Sequence, residues 1–129
     1  MFGIDLIRKA IRLEYVNRIP WVPFVGCHAG KLLGITAKEF LTSSENIVNG
    51  VAKAIELYKP DGIPVIFDLQ VEAEALGCQL YWPDDNPPAV VSHPLSEGKT
   101  INELTFLQNE NGRIPLIMEA AKQLRLKYP

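Results

Sequence analysis

The run Asp61-Gly-Ile-Pro-Val-Ile-Phe-Asp68-Leu-Gln-Val-Glu-Ala-Glu-Ala-Leu-Gly77 decides the reading of this chain. Asp61-Gly62 is a turn pair. Ile63 to Phe67 is apolar and β-branched, as a buried strand should be, and it ends at Asp68. Pro64 has no backbone donor and fits such a strand only at its start. Val71 to Leu76 predicts a short helix that Gly77 closes.

Working outward, alternation of elements continues on both sides. Upstream, Ile4, Ile7, Ala10 and Ile11 share one face of a helix predicted over Ile4 to Tyr15. Trp21 to Val25 reads as a second buried strand, with Pro23 arguing against a long regular ladder. Gly26 to Gly34, with Gly30 between, reads as a loop. Thr36 with Glu39, and Thr42 with Glu45, fit capping boxes, in which side chains satisfy the free N–H groups of a helix start. The second box opens a helix with Ile47, Val51, Ile55 and Tyr58 on its apolar face, and Pro60 stops it. Downstream, Gln79 to Trp82 and Ala89 to Val91 suggest a hairpin around a proline-rich turn. A third capping box, Thr100 with Glu103, precedes Leu104 and Leu107. A final helix runs from about Pro115 to Lys127, with Ile114, Ile117, Met118, Ala121 and Leu124 as its stripe. Strands alternating with helices predict an α/β fold with parallel strands, which the pattern alone leaves open between a barrel and a doubly wound sheet.

Composition narrows the function classes. A chain of 129 residues, 47% hydrophobic and 22% charged, fits one soluble domain with a real core. Its net charge of -2 argues against a nucleic-acid partner, which needs a basic surface. No apolar stretch is long enough to cross a membrane. Met1-Phe2-Gly3-Ile4-Asp5 does not resemble a signal peptide. Cys27 and Cys78 do not make a disulfide scaffold, so a reducing cytoplasm is expected.

Three motifs in order give the chain a family resemblance. The Asp61 to Gly77 run resembles the second-strand motif of the uroporphyrinogen decarboxylase superfamily. Arg18-Ile-Pro-Trp-Val-Pro is similar to that family's first strand. Gly112-Arg-Ile-Pro-Leu-Ile-Met-Glu-Ala-Ala-Lys resembles the helix leading into its third. The resemblance covers nearly the whole chain and implies a partial TIM (β/α)8 barrel, its N-terminal portion only, with residues 1–129 as one part-domain. A complete barrel usually needs roughly 250 residues.

The resemblance implies two chemistries. One branch removes carboxylates from a porphyrinogen in porphyrin biosynthesis. The other moves a methyl group from a corrinoid (cobalamin) to a thiol, with zinc activating the thiol. The decarboxylases carry Arg-Gln-Ala-Gly-Arg in the first loop, where this chain has Cys27-His28-Ala29-Gly30-Lys31. A lysine is a point charge and lacks the fork that grips carboxylates, and Cys27 carries no such charge. The loop therefore favours the methyltransferase-like branch. A divergent decarboxylase and a non-catalytic half-barrel that binds a tetrapyrrole or a partner subunit are the alternatives. The branch's zinc ligands have no match in the sequence, so zinc and corrinoid are implied only for a full-length protein and no cofactor is expected on this chain alone. Expected partners are a corrinoid or porphyrinogen, a small thiol, and a homo-oligomeric copy or complementing chain.

Residue by residue, Asp68 is the catalytic candidate, at a strand end where barrel active sites are built. The resemblance gives it the role of binding pyrrole N–H groups in the decarboxylases. His28 and Lys31 are substrate-binding candidates, with a plain loop histidine and a solvated lysine as the competing readings. Glu72 shares a helical face with Asp68 and is the fourth candidate, against a simple helix N-terminal acid. Cys27-His28 alone is too few ligands for a metal. Cys78, Trp21, Trp82 and Phe67 read as core, and His93 as a loop residue without a visible partner.

Overall fold

A computed structural model describes residues 3–104 and 108–129. The expected contribution of Leu107, and the first two residues, lie outside them. Helix α1 spans Gly3–Ile11, α2 His28–Leu33, α3 Ala37–Leu41, α4 Ser44–Tyr58, α5 Val71–Ala75 and α6 Ile114–Lys127. Strands β1 (Gln79–Tyr81) and β2 (Ala89–Ser92) form the antiparallel hairpin that the sequence suggested, and a 3-10 turn covers Ile101–Glu103.

Helix starts follow their local chemistry. The Thr36–Glu39 capping box is complete: Thr36 Oγ1 accepts from Glu39 N at 3.2 Å and Glu39 Oε2 accepts from Thr36 N at 2.8 Å. Thr100 and Glu103 make the same box, but over the 3-10 turn. The expected Thr42–Glu45 box does not form. Ser43 caps α4 instead, accepting from Asn46 N at 3.3 Å, because Thr42 is engaged with Lys38 O at the end of α3. Lys59, with a φ of 50°, and Pro60 end α4 as expected. Helix α1 stops at Ile11, short of the predicted Tyr15, and Ile11 itself is exposed; Leu6 is the residue that α1 buries.

The core lies where α2, α3 and α6 pack on α4. Phe40, Leu41, Ile47, Val51, Ala120 and Leu124 are buried together. The buried face of α6 therefore runs through Ala120, and the expected stripe residue Met118 is exposed. The expected loop Gly26 to Gly34 contains α2. Its glycines mark the ends and the face of a helix: Gly26 and Gly34 hold φ of 54° and 73°, and Gly30 packs against Phe40. Gly50 of α4 does the reverse. A Cβ there would stand 2.8 Å from Phe40 Cε2 and 2.9 Å from Ala29 O, so α4 can approach the α2 backbone and Phe40 this closely only because Gly50 has no side chain.

The two expected strands are not ladder strands among the described residues. Trp21 to Val25 and Ile63 to Phe67 run without regular pairing, and they are half-buried or exposed, Phe24 by 67%. Pro20, Pro23 and Pro64 remove backbone donors from these stretches. One junction does tie them. Asp61 N donates to Trp21 O at 2.9 Å, and the Asp61 carboxylate accepts from Trp21 N at 2.8 Å and from both ends of the Arg18 fork at 2.6 and 2.7 Å. Trp21 and Phe67, expected in the core, are exposed, and Cys78 is only partly buried. Among the described residues no helix is long and apolar enough to cross a membrane.

Two measurements check this account. Gly50→Ala forces backbone and ring apart and is expected to cost about 1–3 kcal/mol in urea unfolding. Gly34→Ala meets open space and costs about 1–2 kcal/mol, from backbone strain alone; the first loss should be the larger. The Arg18 fork, then the Trp21 N–H, hold the Asp61 carboxyl down at about 2. Its stabilisation is therefore full above the unfolded value of about 3.9 and is lost as pH falls toward about 2. Acid unfolding of Asp61→Asn should show a shallower fall across that window than the parent chain.

Candidate functional site

The site is built where α2 begins. The backbone turns at Gly26 and starts the helix at His28, whose N–H donates to Val25 O at 3.2 Å. That turn puts Cys27, His28 and Lys31 on the wall of an open cavity of about 350 Å³. Phe24 and Phe67, from the two extended segments, form a second wall with their rings edge to face at 5.1 Å. Asp85, Asn86 and Pro87 from the hairpin turn form the third. The turn is fastened to the helical block where Ala37 N donates to Asp84 O at 2.6 Å.

Charge in the cavity is sparse. Lys31 Nζ lies 3.4 Å from Asp85 Oδ1, with both side chains largely exposed, so this pair is weak and Lys31 stays available. His28 Nε2 and Tyr58 OH are hydrogen-bonded at 2.6 Å, which joins α2 to the end of α4 and leaves Nδ1 for other contacts. The sequence reading anticipated a pocket or local role for His28. The structure gives it the cavity wall and a partner distant in sequence. Cys27 is buried, and that burial, followed by the charge of Asp68, pushes its thiol up, so it lines the cavity as a neutral group.

Asp68 does not line the cavity. Its side chain is 0% exposed and its Oδ2 lies 2.7 Å from Arg113 Nη2. The approach is bent, so neither atom makes a directed hydrogen bond, while Oδ1 accepts from Gln70 N at 2.8 Å. Arg113 itself is only 4% exposed. Its Nε donates to Glu74 Oε2 at 2.5 Å, its Nη1 to Leu41 O at 3.3 Å, and its guanidinium lies over the Trp82 ring at 4.8 Å. Glu72, expected beside Asp68, is exposed on α5 and lines no part of the cavity. Glu74 is the acid that α5 brings to the same guanidinium as Asp68. Arg113 and Glu74 escaped the sequence reading. The Gly112-Arg113-Ile114-Pro115 start of α6 was visible, but nothing local marks that arginine as buried. His93 has a local partner after all: its Nδ1 accepts from Ser96 N at 3.2 Å.

Among the described residues no three His, Cys, Asp or Glu side chains gather into a metal site. A zinc ion takes three or four such ligands, and the described residues bring no such set together. The cavity sits at the small end of ligand pockets, which span roughly 300–1,000 Å³. It suits a small molecule or one edge of a larger one.

Comparison with known proteins agrees with the motifs. Over 62 residues, 48% of this chain and 17% of the relative, the sequence is 36% identical to a methylated-thiol–coenzyme M methyltransferase of Methanosarcina mazei. Over 128 residues, 96% of this chain and 38% of the relative, it is 26% identical to a methylcobamide:CoM methyltransferase of Methanosarcina acetivorans. The chain thus spans well under half the length of the curated relatives it matches. A solved methyltransferase structure from Methanosarcina mazei superposes on all of this chain and 40% of its own, with a TM-score of 0.82 at 23% identity, which is a likeness of fold. With residues 3–129 matching the family's pattern in full succession, the chain belongs to the uroporphyrinogen decarboxylase (URO-D) family.

Proposed function

We propose that this chain carries part of the acceptor pocket of a methyltransferase-like enzyme built on a partial (β/α)8 barrel. The reaction is transfer of a methyl group from a corrinoid to a small thiol. The corrinoid supplies the methyl group when bound; the residues described here hold and shield the acceptor. Coenzyme M, named for both curated relatives, is the model for that thiol.

The charge of the cavity carries this reading. Lys31 is the one cation among its described lining residues, and it has no forked partner. A substrate with many carboxylates needs several such anchors, and arginine forks serve best. One lysine at the mouth of a small, half-apolar cavity matches a small ligand with a single anionic end. His28, held by Tyr58 at Nε2, offers Nδ1 for a hydrogen bond to that ligand. Phe24 and Phe67 exclude water from one side. Asp68 acts from behind the wall: its covered carboxylate sets the position of the turn after Phe67 and does not touch the ligand. Glu72 plays no part in this pocket.

This chain by itself is expected to bind without turnover, since its described residues gather no zinc ligand set. Its exposed apolar segment from Ile19 to Phe24 suits cover by a complementing chain or a second copy. The test is calorimetric titration with coenzyme M, together with an assay for carbon dioxide release from uroporphyrinogen. Binding that Lys31→Ala weakens about tenfold, or about 1.4 kcal/mol, with no carbon dioxide released, is the expected result. Decarboxylation of uroporphyrinogen, or affinity indifferent to Lys31, sinks the proposal.

A further inference from the structure

We infer that Arg113 is a positioning residue for the cavity, acting through Asp68 on the aromatic wall. The inference rests on the pocket assigned above, but its cause lies outside the pocket. Arg113 lines no part of the cavity; it stands at the start of α6, on the far side of Asp68.

The argument is one of fixed geometry. A guanidinium is planar, and its donors point in set directions. Here each edge is engaged with a different element. Nε meets Glu74 on α5, Nη1 meets the Leu41 carbonyl at the end of α3, and Nη2 faces Asp68. The ring of Trp82, beyond β1, closes one face. Two of these four partners, Leu41 and Trp82, belong to the helical block and the hairpin, and Glu74 lies on α5, just after Asp68. The fourth, Asp68, terminates the segment that carries Phe67, and no ladder holds that segment. Asp68 Oδ1 also accepts from Gln70 N, so the carboxylate fixes the turn as well as the chain end. Phe67 in turn lies beside Gly26, where an added Cβ would stand in ordinary contact, 3.6 Å from the Phe67 Cβ, and packs on Phe24. The chain of contact runs Arg113, Asp68, Phe67, Phe24, and its last two members are cavity wall. A lysine would keep the charge but could not hold three directions at once.

The test compares Arg113→Lys and Asp68→Asn with Thr36→Ala, a cap deletion that lowers stability but removes no group in contact with Arg113. Three quantities are read: the amide resonance of Gln70, the Phe24–Phe67 ring contact by nuclear Overhauser effects, and coenzyme M affinity. In both site variants the Gln70 amide should move, the ring contact should weaken and affinity should fall at least tenfold. In Thr36→Ala all three should stay within twofold of the parent chain. Loss in the cap variant equal to that in the site variants makes Arg113 a general stabiliser and overturns the inference. Unchanged ring contact in Arg113→Lys and Asp68→Asn overturns it as well. Should the parent chain fail to bind coenzyme M, the pocket assignment falls, while the amide and ring readouts still decide whether Arg113 positions the wall.

Discussion

A guanidinium buried between two carboxylates sets the terms for the rest of the molecule. Arg113 is shut away from water, and removal of such a charge from solvent costs several kcal/mol unless its donors are met. Two are met by hydrogen bonds, Nε by Glu74 and Nη1 by the Leu41 carbonyl, while Nη2 stands against the Asp68 carboxylate as an ion pair and Trp82 covers the ring face. The group therefore works less as a source of raw stability than as a joint. It locks the end of an otherwise unladdered segment to a helical block that is stable for other reasons.

Those other reasons are close packing and bare backbone. Phe40 fits against Gly30 of α2 and Gly50 of α4, where any side chain would collide. Leu41 and Ile47 close the same cluster with no exposure at all. Helix α4 is thus gripped by α2, α3 and α6, and α2 leaves that grip carrying His28 and Lys31 into the cavity. The apolar core and the polar cavity share one short helix. Packing at Gly30 and the position of Lys31, one residue later, cannot vary independently.

Local chemistry was legible in the sequence, and distant pairing was not. The Thr36 and Thr100 capping boxes, the hairpin and the α4 face all rest on residues within a few positions of each other, and all appear. Glycines misled where their role was tertiary: Gly26, Gly30 and Gly34 read as loop but delimit and pack α2. The register of the α4 cap slipped by one residue because Thr42 had a competing acceptor in Lys38 O. Ile63 to Phe67 has strand composition, yet a strand needs a neighbour, and its composition does not say whether one is paired. His28 and Lys31, three positions apart across one helical turn, line the same cavity. Helical spacing from Asp68 points to Glu72, whereas the tie of Glu74 to Arg113, 39 residues away, leaves no local mark.

The family assignment and the cavity chemistry meet at the first loop. Membership in the uroporphyrinogen decarboxylase family fixes the kind of scaffold, and the single lysine with its aromatic wall narrows what that scaffold is suited to hold. The aromatic wall, as inferred above, depends on Asp68 and Arg113 acting as one unit. A double-mutant cycle on Asp68→Asn and Arg113→Met, read by urea unfolding, measures that dependence directly. Close, desolvated partners couple by about 0.5–3 kcal/mol, and a value near the top of that range is predicted here. Losses that simply add, within about 0.5 kcal/mol, would mean that the two charges do not hold each other and that the joint does not exist.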